Sequence, residues 1–159
     1  MSAFAERDTD GTKGLTAPTE GLPLAEAKLS APRERRGMVQ RRRLDRALDG
    51  AGGAALTLVA APAGYGKTTA VRSWCAGHES AFAWVTLDVG DNDPSRFWRY
   101  VATAVDRVRQ GLGARALRRL DEPGAGVRSP IDELLNGIAS FEEELVLVLD
   151  DVQHVSDPD

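Results

Sequence analysis

Apolar positions along the chain follow two different spacings, and the order of these spacings predicts the order of strands and helices. Three apolar runs of strand length cover residues 55–60, 81–87 and 145–149. Three segments with helical spacing cover residues 67–76, 94–108 and 130–141. The resulting order of strand, helix, strand, helix, helix, strand predicts an α/β fold, with a mostly parallel sheet and flanking helices.

Capping residues indicate where two of these helices begin. Asp93 is a good N-cap and Pro94 suits the first helical position, and Ser129–Pro130 repeats this arrangement. Asp91 and Asn92, which precede that cap, are more typical of a turn than of a metal site. Between Gly111 and Pro123 we predict no regular element, because glycines interrupt the helical spacing.

Composition divides the chain into a tail and one domain. Residues 1–30 mix Thr, Gly, Pro and acidic residues without a sustained spacing, which predicts a flexible N-terminal tail. Residues 31–159 are assigned to a single, partial domain that begins with a short helix from Arg41. The apolar run 145–149 is too short to cross a bilayer, so no membrane association is expected. A single cysteine, Cys75, fits a reducing cytosol.

Charge is distributed unevenly along the 159 residues, whose formal net charge is −4. Residues 129–159 contain nine acids and no Lys or Arg, whereas 20 basic and 15 acidic residues precede them, a balance of +5. Seven arginines lie between Arg33 and Arg46. Such a cluster could bind phosphates or nucleic acid, or it could be a solvated helix start with ion pairs. It lacks interleaved aromatic residues, so we expect no sequence-specific DNA binding from it.

The most specific motif is a phosphate-binding loop between the first strand and the first long helix. Residues 61–68 read A-P-A-G-Y-G-K-T and match G-x-x-x-x-G-K-[ST], except that Ala61 replaces the first glycine. Glycines let the backbone curl so that successive N–H groups point at phosphate oxygens, and the helix adds the positive end of its dipole. The alternative is a chance glycine-rich turn. The residues predicted to bind the nucleotide are Ala63, Gly64, Tyr65, Gly66, Lys67, Thr68 and Thr69.

The chemistry of such a loop assigns separate roles to Lys67 and Thr68. The lysine supplies a positive charge to the β- and γ-phosphates, which makes it a candidate catalytic residue, and the Thr68 hydroxyl can ligate Mg²⁺. A second element must complete the metal site and activate water. Asp150 and Asp151 follow the apolar strand directly and would reach the same edge of a parallel sheet. We predict that Asp150 binds Mg²⁺, directly or through water, and that Asp151 is the catalytic group that orients or deprotonates the attacking water; an acidic turn is the alternative.

Four segments together carry a family resemblance. The chain contains L-T-L-V-A-A-P-A-G-Y-G-K-T-T, A-W-V-T-L-D, G-D-N-D-P-S-R-F-W-R-Y and L-V-L-V-L-D-D, in that order. They resemble the N-terminal ATPase of MalT-like regulators, which are large LuxR-type bacterial transcription factors of the STAND class. The resemblance covers residues 28 to about 158. It implies a P-loop NTPase domain that binds ATP and Mg²⁺.

The resemblance also implies properties of a whole regulator. These are slow ATP hydrolysis, a nucleotide-gated switch between resting and multimeric forms, and a cytoplasmic location. DNA would be bound only through a C-terminal helix-turn-helix region, which this sequence does not contain. By resemblance, Val39 and Arg41 border the adenine. The family has a His soon after the acidic pair, whereas this chain has Gln153 and then His154.

The family's sheet order raises an expectation about completeness. A strand that follows the acidic strand inserts between it and the strand before the phosphate loop. The sequence ends eight residues after Asp151, so we expect a domain that is incomplete at its C-terminus. Two other functions remain open: a P-loop small-molecule kinase with residues 115–128 as its lid, and a non-functional remnant.

Overall fold

The computed structural model describes residues 24–33, 42–51, 54–124 and 126–156. Most of the predicted tail, together with Val39 and Arg41, lies outside these residues. Five α-helices are described: α1 (Arg42–Gly50), α2 (Lys67–Gly77), α3 (Pro94–Val108), α4 (Ala114–Leu120) and α5 (Arg128–Ala139). There are also two strands, β1 (Ala81–Thr86) and β2 (Leu145–Asp150). Three short 3-10 helices lie at Glu26–Leu29, Val89–Asn92 and Val152–His154.

The two strands form a parallel sheet whose register runs from Ala81 opposite Leu145 to Thr86 opposite Asp150. Beyond the paired residues, the Leu87 N–H donates to the Asp150 carbonyl oxygen at 2.9 Å. Helix α3 packs on β1 and closes the core. A parallel pair needs a long crossover, which the helices between the strands supply. The predicted α/β character is therefore confirmed, with two strands in the described part of the chain.

Helix α3 begins as the sequence predicts. The Asp93 side chain accepts a hydrogen bond from the Arg96 N–H at 2.7 Å, and Pro94 is the first helical residue. One face of the helix is buried, including Tyr100, Val101 and Val105. At 15 residues it is the longest helix described, and none of the described helices combines the length and apolarity needed to traverse a bilayer.

A helix occupies part of the region for which we predicted no regular element. Helix α4 starts after Gly113, whose missing side chain matters because an added Cβ would lie 2.0 Å from the Ala102 carbonyl oxygen. The Asp106 carboxylate accepts from the N–H groups of Gly111, Gly113 and Ala114 at 2.8–3.1 Å. This acceptor turns the chain out of α3 and into α4, so the glycines separate two helices and do not mark a longer irregular segment.

The predicted strand at 55–60 is wrong. The segment has no strand assignment, and Leu56 and Leu58 are 85% and 77% exposed. A strand needs a neighbour that satisfies its backbone N–H and C=O groups. Among the described residues β2 is paired only with β1, and a groove separates β2 from the 55–59 segment. An apolar run of strand length therefore exists here without a hydrogen-bonding ladder.

The segment before residue 30 packs on the domain. Leu29 is buried in the core, although the sequence did not require it to dock. The Ala25 N–H donates to the Tyr100 hydroxyl at 3.1 Å, and the Lys28 ammonium lies 4.4 Å from the centre of the Tyr100 ring. The boundary of the domain at residue 31 stays a prediction, but residues 24–29 contact α3 and β1.

Candidate functional site

The phosphate-loop sequence forms a tight turn that leads directly into α2. Gly64 and Gly66 both have φ of 80°, in the left-handed region that favours glycine. An added Cβ would meet nothing within 4 Å at Gly64, so glycine is required there by backbone conformation and not by space. The Gly66 carbonyl oxygen accepts from the Ala70 N–H at 2.9 Å, which starts the helix. The N–H groups at the start of α2 are thus not used within the helix.

Lys67 is the first residue of α2, and its side chain folds back over the loop. Its ammonium donates to the carbonyl oxygens of Ala61 at 2.8 Å and Pro62 at 3.3 Å. The positive charge therefore lies at the loop, next to the N-terminus of a helix. Ala63 and Tyr65 are exposed in the loop, and Thr69 is exposed in the first turn of α2. A charge and free helical N–H groups in one place can bind an anion.

Thr68 and Asp150 meet although they are 82 positions apart in the sequence. The Thr68 hydroxyl donates to Asp150 Oδ1 at 2.8 Å. The contact follows from the topology, because α2 begins and β2 ends at the same edge of the sheet. Both predicted metal ligands thus lie side by side, while their binding of a metal stays a prediction.

Asp151 adopts an unusual backbone conformation. With φ of 58° and ψ of 36° it is the only non-glycine residue with positive φ in the described part of the chain. Such a conformation costs on the order of 1–3 kcal/mol and is concentrated at functional sites. Its carboxylate accepts from Gln153 Nε2 at 3.0 Å, and its carbonyl oxygen accepts from the His154 N–H at 3.1 Å. The turn stops the strand directly after Asp150.

A groove of about 510 Å³ connects these groups. Its polar end contains Lys67, Thr68, Asp150 and Asp151, and its apolar walls include Leu58 and Leu147. Lysine, hydroxyl and two carboxylates on one concave surface are suited to a phosphate ester with a divalent cation. The structure brings four of the predicted site residues together in this groove, while Val39 and Arg41 lie outside the described residues.

A comparison with known proteins identifies a relative of this chain. No family model matches the chain. The HTH-type transcriptional regulator MalT of Cronobacter sakazakii (strain ATCC BAA-894) is 35% identical to it over 136 residues. The chain is related to MalT. The aligned part is 85% of this chain but 15% of MalT, so the chain spans a small fraction of the relative's length. The resemblance to MalT-like regulators that the four sequence segments indicated is confirmed.

An ionic network supports the loop before α3, and the sequence did not reveal it. Asp91 is 1% exposed; it pairs with Lys28, accepts from Arg96 Nε at 3.1 Å and accepts from the Asp88 N–H at 2.8 Å. Lys28 also pairs with Asp88 at 3.0 Å. The hydrogen bond from Lys28 lowers the pKa of the Asp88 carboxyl, and the bond to Asp91 raises the pKa of Arg96.

Asn92, which we assigned to a turn, has a second set of contacts. The turn and N-cap are present, since Asp93 caps α3 and Val89–Asn92 is a 3-10 helix. Asn92 also bonds to His154 and Ser156, in the segment that follows Asp151. Turn chemistry explained the residue type completely, so no sequence signal pointed to these longer-range partners.

Proposed function

We propose that this chain is an ATP-binding and slowly ATP-hydrolysing signalling module of a MalT-type transcriptional regulator. The observation that carries the proposal is the 2.8 Å contact between Thr68 and Asp150 beside the glycine turn. It joins the two motifs that a P-loop NTPase needs, a phosphate loop and an acidic strand end. The MalT relationship supports the same assignment.

The residues present fit a magnesium ion. A threonine hydroxyl and an aspartate carboxylate supply the oxygen ligands that Mg²⁺ prefers. The hydrogen bond between the Thr68 hydroxyl and Asp150 Oδ1, at 2.8 Å, puts both oxygens at one point of the groove. Both side chains would hold the ion, Asp150 either directly or through water. The bound ion would neutralise charge on the phosphates.

Each remaining group has a role in binding or hydrolysis. The N–H groups of the turn from Ala63 to Thr69 would hold phosphate oxygens, with the Lys67 ammonium on the β- and γ-phosphates. The Asp151 carboxylate would accept a hydrogen bond from water and orient it, or take its proton. We also propose that the longer protein is cytoplasmic, self-associates in its active form, and binds DNA through a region outside this chain. Val39 and Arg41 remain the proposed neighbours of the adenine.

The kinase alternative is less well supported. It required residues 115–128 as a mobile basic lid over an acceptor substrate. Helix α4 occupies Ala114–Leu120, its Ala116 side chain is buried, and Arg119 pairs with Glu122 at 3.0 Å. Two adjacent carboxylates, Asp150 and Asp151, also suit water activation better than acceptor binding.

Isothermal titration with ATP, with and without Mg²⁺, tests the proposed metal site. We expect Mg²⁺ to strengthen ATP binding by the unchanged chain and Thr68→Val to abolish that gain, because valine keeps the shape but lacks the ligand oxygen. Thr103→Val, on α3, is the matched control and should keep the gain. Equal magnesium dependence in the Thr68→Val variant and the unchanged chain would rule out the proposed ligand role.

A further inference from the structure

The 3-10 helix Val89–Asn92 touches the segment that follows Asp151. Asn92 Nδ2 donates to the carbonyl oxygens of Val89 and His154, both at 2.9 Å. Asn92 Oδ1 accepts from the Ser156 N–H at 2.8 Å. One side chain thus binds its own 3-10 helix and both ends of the short stretch 154–156. Residues 62 and 64 positions apart in the sequence are joined by these bonds.

Only a primary amide satisfies this set of partners. The two carbonyl oxygens require donors and the Ser156 N–H requires an acceptor, and asparagine supplies both from one short side chain. Aspartate would keep the acceptor, lose both donors and add a negative charge near Asp151. The partners also fix the orientation of the amide, because the reverse orientation would face an N–H with an NH₂ group.

Apart from Asn92, the segment is attached to the domain through Val155, which is half-buried against the core. The 3-10 helix Val152–His154 has three residues and no side-chain cap, and all three are exposed. Its backbone is closed by two bonds, from the His154 N–H to Asp151 and from the Val155 N–H to Val152, both at 3.1 Å. Asp151 itself adopts the left-handed conformation, which aspartate tolerates better than most non-glycine residues but which is still uncommon. Beside the two backbone bonds, the Val155 packing and the Asn92 bonds oppose local opening of the exposed turn 152–154.

The 3-10 helix that carries Asn92 is, by contrast, anchored to the domain through a buried side chain. Its Asp91 side chain is buried and bonded to Lys28, Arg96 and the Asp88 N–H. Asp88 caps the same helix, accepting from the Gly90 N–H at 2.8 Å. Asn92 therefore links a well-anchored 3-10 helix to a turn whose residues 152–154 are exposed.

We propose that Asn92 is a positioning residue that holds the segment 151–156 and thereby keeps Asp151 in the groove that Asp150 and Thr68 also line. The inference rests on the proposed function for its consequence in hydrolysis, but the anchoring itself does not require a nucleotide. Misplacement of a catalytic group by about 1 Å can cost about 100-fold in rate. Asn92 should therefore affect turnover and leave phosphate binding by the Lys67 loop largely unchanged.

Two measurements on Asn92→Ala test this. Hydrogen exchange without nucleotide should show faster exchange of the Ser156 and His154 amides, while the amides of α3 keep their protection. Single-turnover hydrolysis should slow by about 10- to 100-fold, with the ATP dissociation constant within about twofold. Asn92→Asp retains the acceptor, so it should preserve slow exchange of the Ser156 amide. Because it lacks both donors, its single-turnover hydrolysis should still be slower than that of the unchanged chain.

Asp106→Ala is the control for general destabilisation, because it removes three hydrogen bonds between α3 and α4. Asp106→Ala should lower the free energy of unfolding without slowing single-turnover hydrolysis as Asn92→Ala does. Unchanged exchange in Asn92→Ala overturns the inference whether or not the chain hydrolyses ATP. An equal rate loss in Asp106→Ala overturns the positioning role. If the unchanged chain binds no ATP, the proposed function fails, and the catalytic part of this inference fails with it.

Discussion

Removal of the Asp91 carboxylate should destabilise the domain more than removal of any exposed acid. Asp91 is 1% exposed, and its carboxylate accepts from Lys28, Arg96 and the Asp88 N–H. In Asp91→Ala the Lys28 ammonium, whose side chain is 11% exposed, keeps Asp88 as its one ionic partner among the described residues. Breaking a buried ion pair from one side costs about 3–5 kcal/mol, and we expect a loss of that size in the free energy of unfolding.

Urea denaturation of matched variants measures this loss. Asp121→Ala is the control, because Asp121 pairs with Arg99 at 2.7 Å but its side chain is 56% exposed; we expect it to cost about 0–1 kcal/mol. Lys28→Met combined with Asp91→Ala should be less destabilising than the sum of the two changes, since the double variant lacks the buried ammonium that Asp91→Ala deprives of its buried partner. A loss below about 1 kcal/mol for Asp91→Ala would refute the assignment of a buried, energetically important network.

Two further predictions concern α2. Gly66→Ala should lower the free energy of unfolding by about 1–2 kcal/mol, because φ at Gly66 is 80°. Gly77→Ala should raise the free energy of unfolding by about 0.5–1 kcal/mol, because Gly77 is helical and has open space around it. Urea denaturation of both variants checks the opposite signs, and equal effects would contradict the strained turn. Burial raises the pKa of the Cys75 thiol to about 11, so the reactive thiolate forms only as the pH approaches that value. Alkylation by iodoacetamide should thus be slow at pH 8 and accelerate at higher pH, and a rate that levels off near the ordinary thiol pKa of about 8.5 would contradict the burial of the sulfur.

Sequence patterns predicted most elements whose formation depends on local residues, but α5 begins at Arg128 without a side-chain cap, so the predicted Ser129–Pro130 start was wrong. The start of α3 follows from Asp93 and Pro94, whose capping and φ preferences act within one turn. Strands β1 and β2 also lie where their apolar runs indicated, within one or two residues. The residue types of the phosphate loop and the acidic pair follow from chemistry, and the parallel topology explains why Thr68 and Asp150 meet.

The features that the sequence did not predict depend on residues far away in the chain. An apolar run such as 55–60 becomes a strand only if a neighbouring strand satisfies its backbone, and spacing contains no information about that neighbour. Helix α4 was missed because Gly111 and Gly113 end one helix and, through Asp106, start the next. Asn92 satisfied a local turn pattern, which concealed its bonds to the segment after Asp151.

The most direct measurement is a calorimetric titration of the chain with Mg²⁺ and ATP, compared with Lys67→Ala. Hydrogen bonds to charged groups contribute about 1.5–3 kcal/mol, so the substitution should weaken binding by about 10- to 150-fold. Lys13→Ala removes the same charge outside the motif and should bind like the unchanged chain. A saturable, magnesium-dependent binding curve that Lys67→Ala weakens and Lys13→Ala does not is the result we predict. Equal affinity in the unchanged chain and Lys67→Ala, or no binding by either, would contradict the nucleotide site.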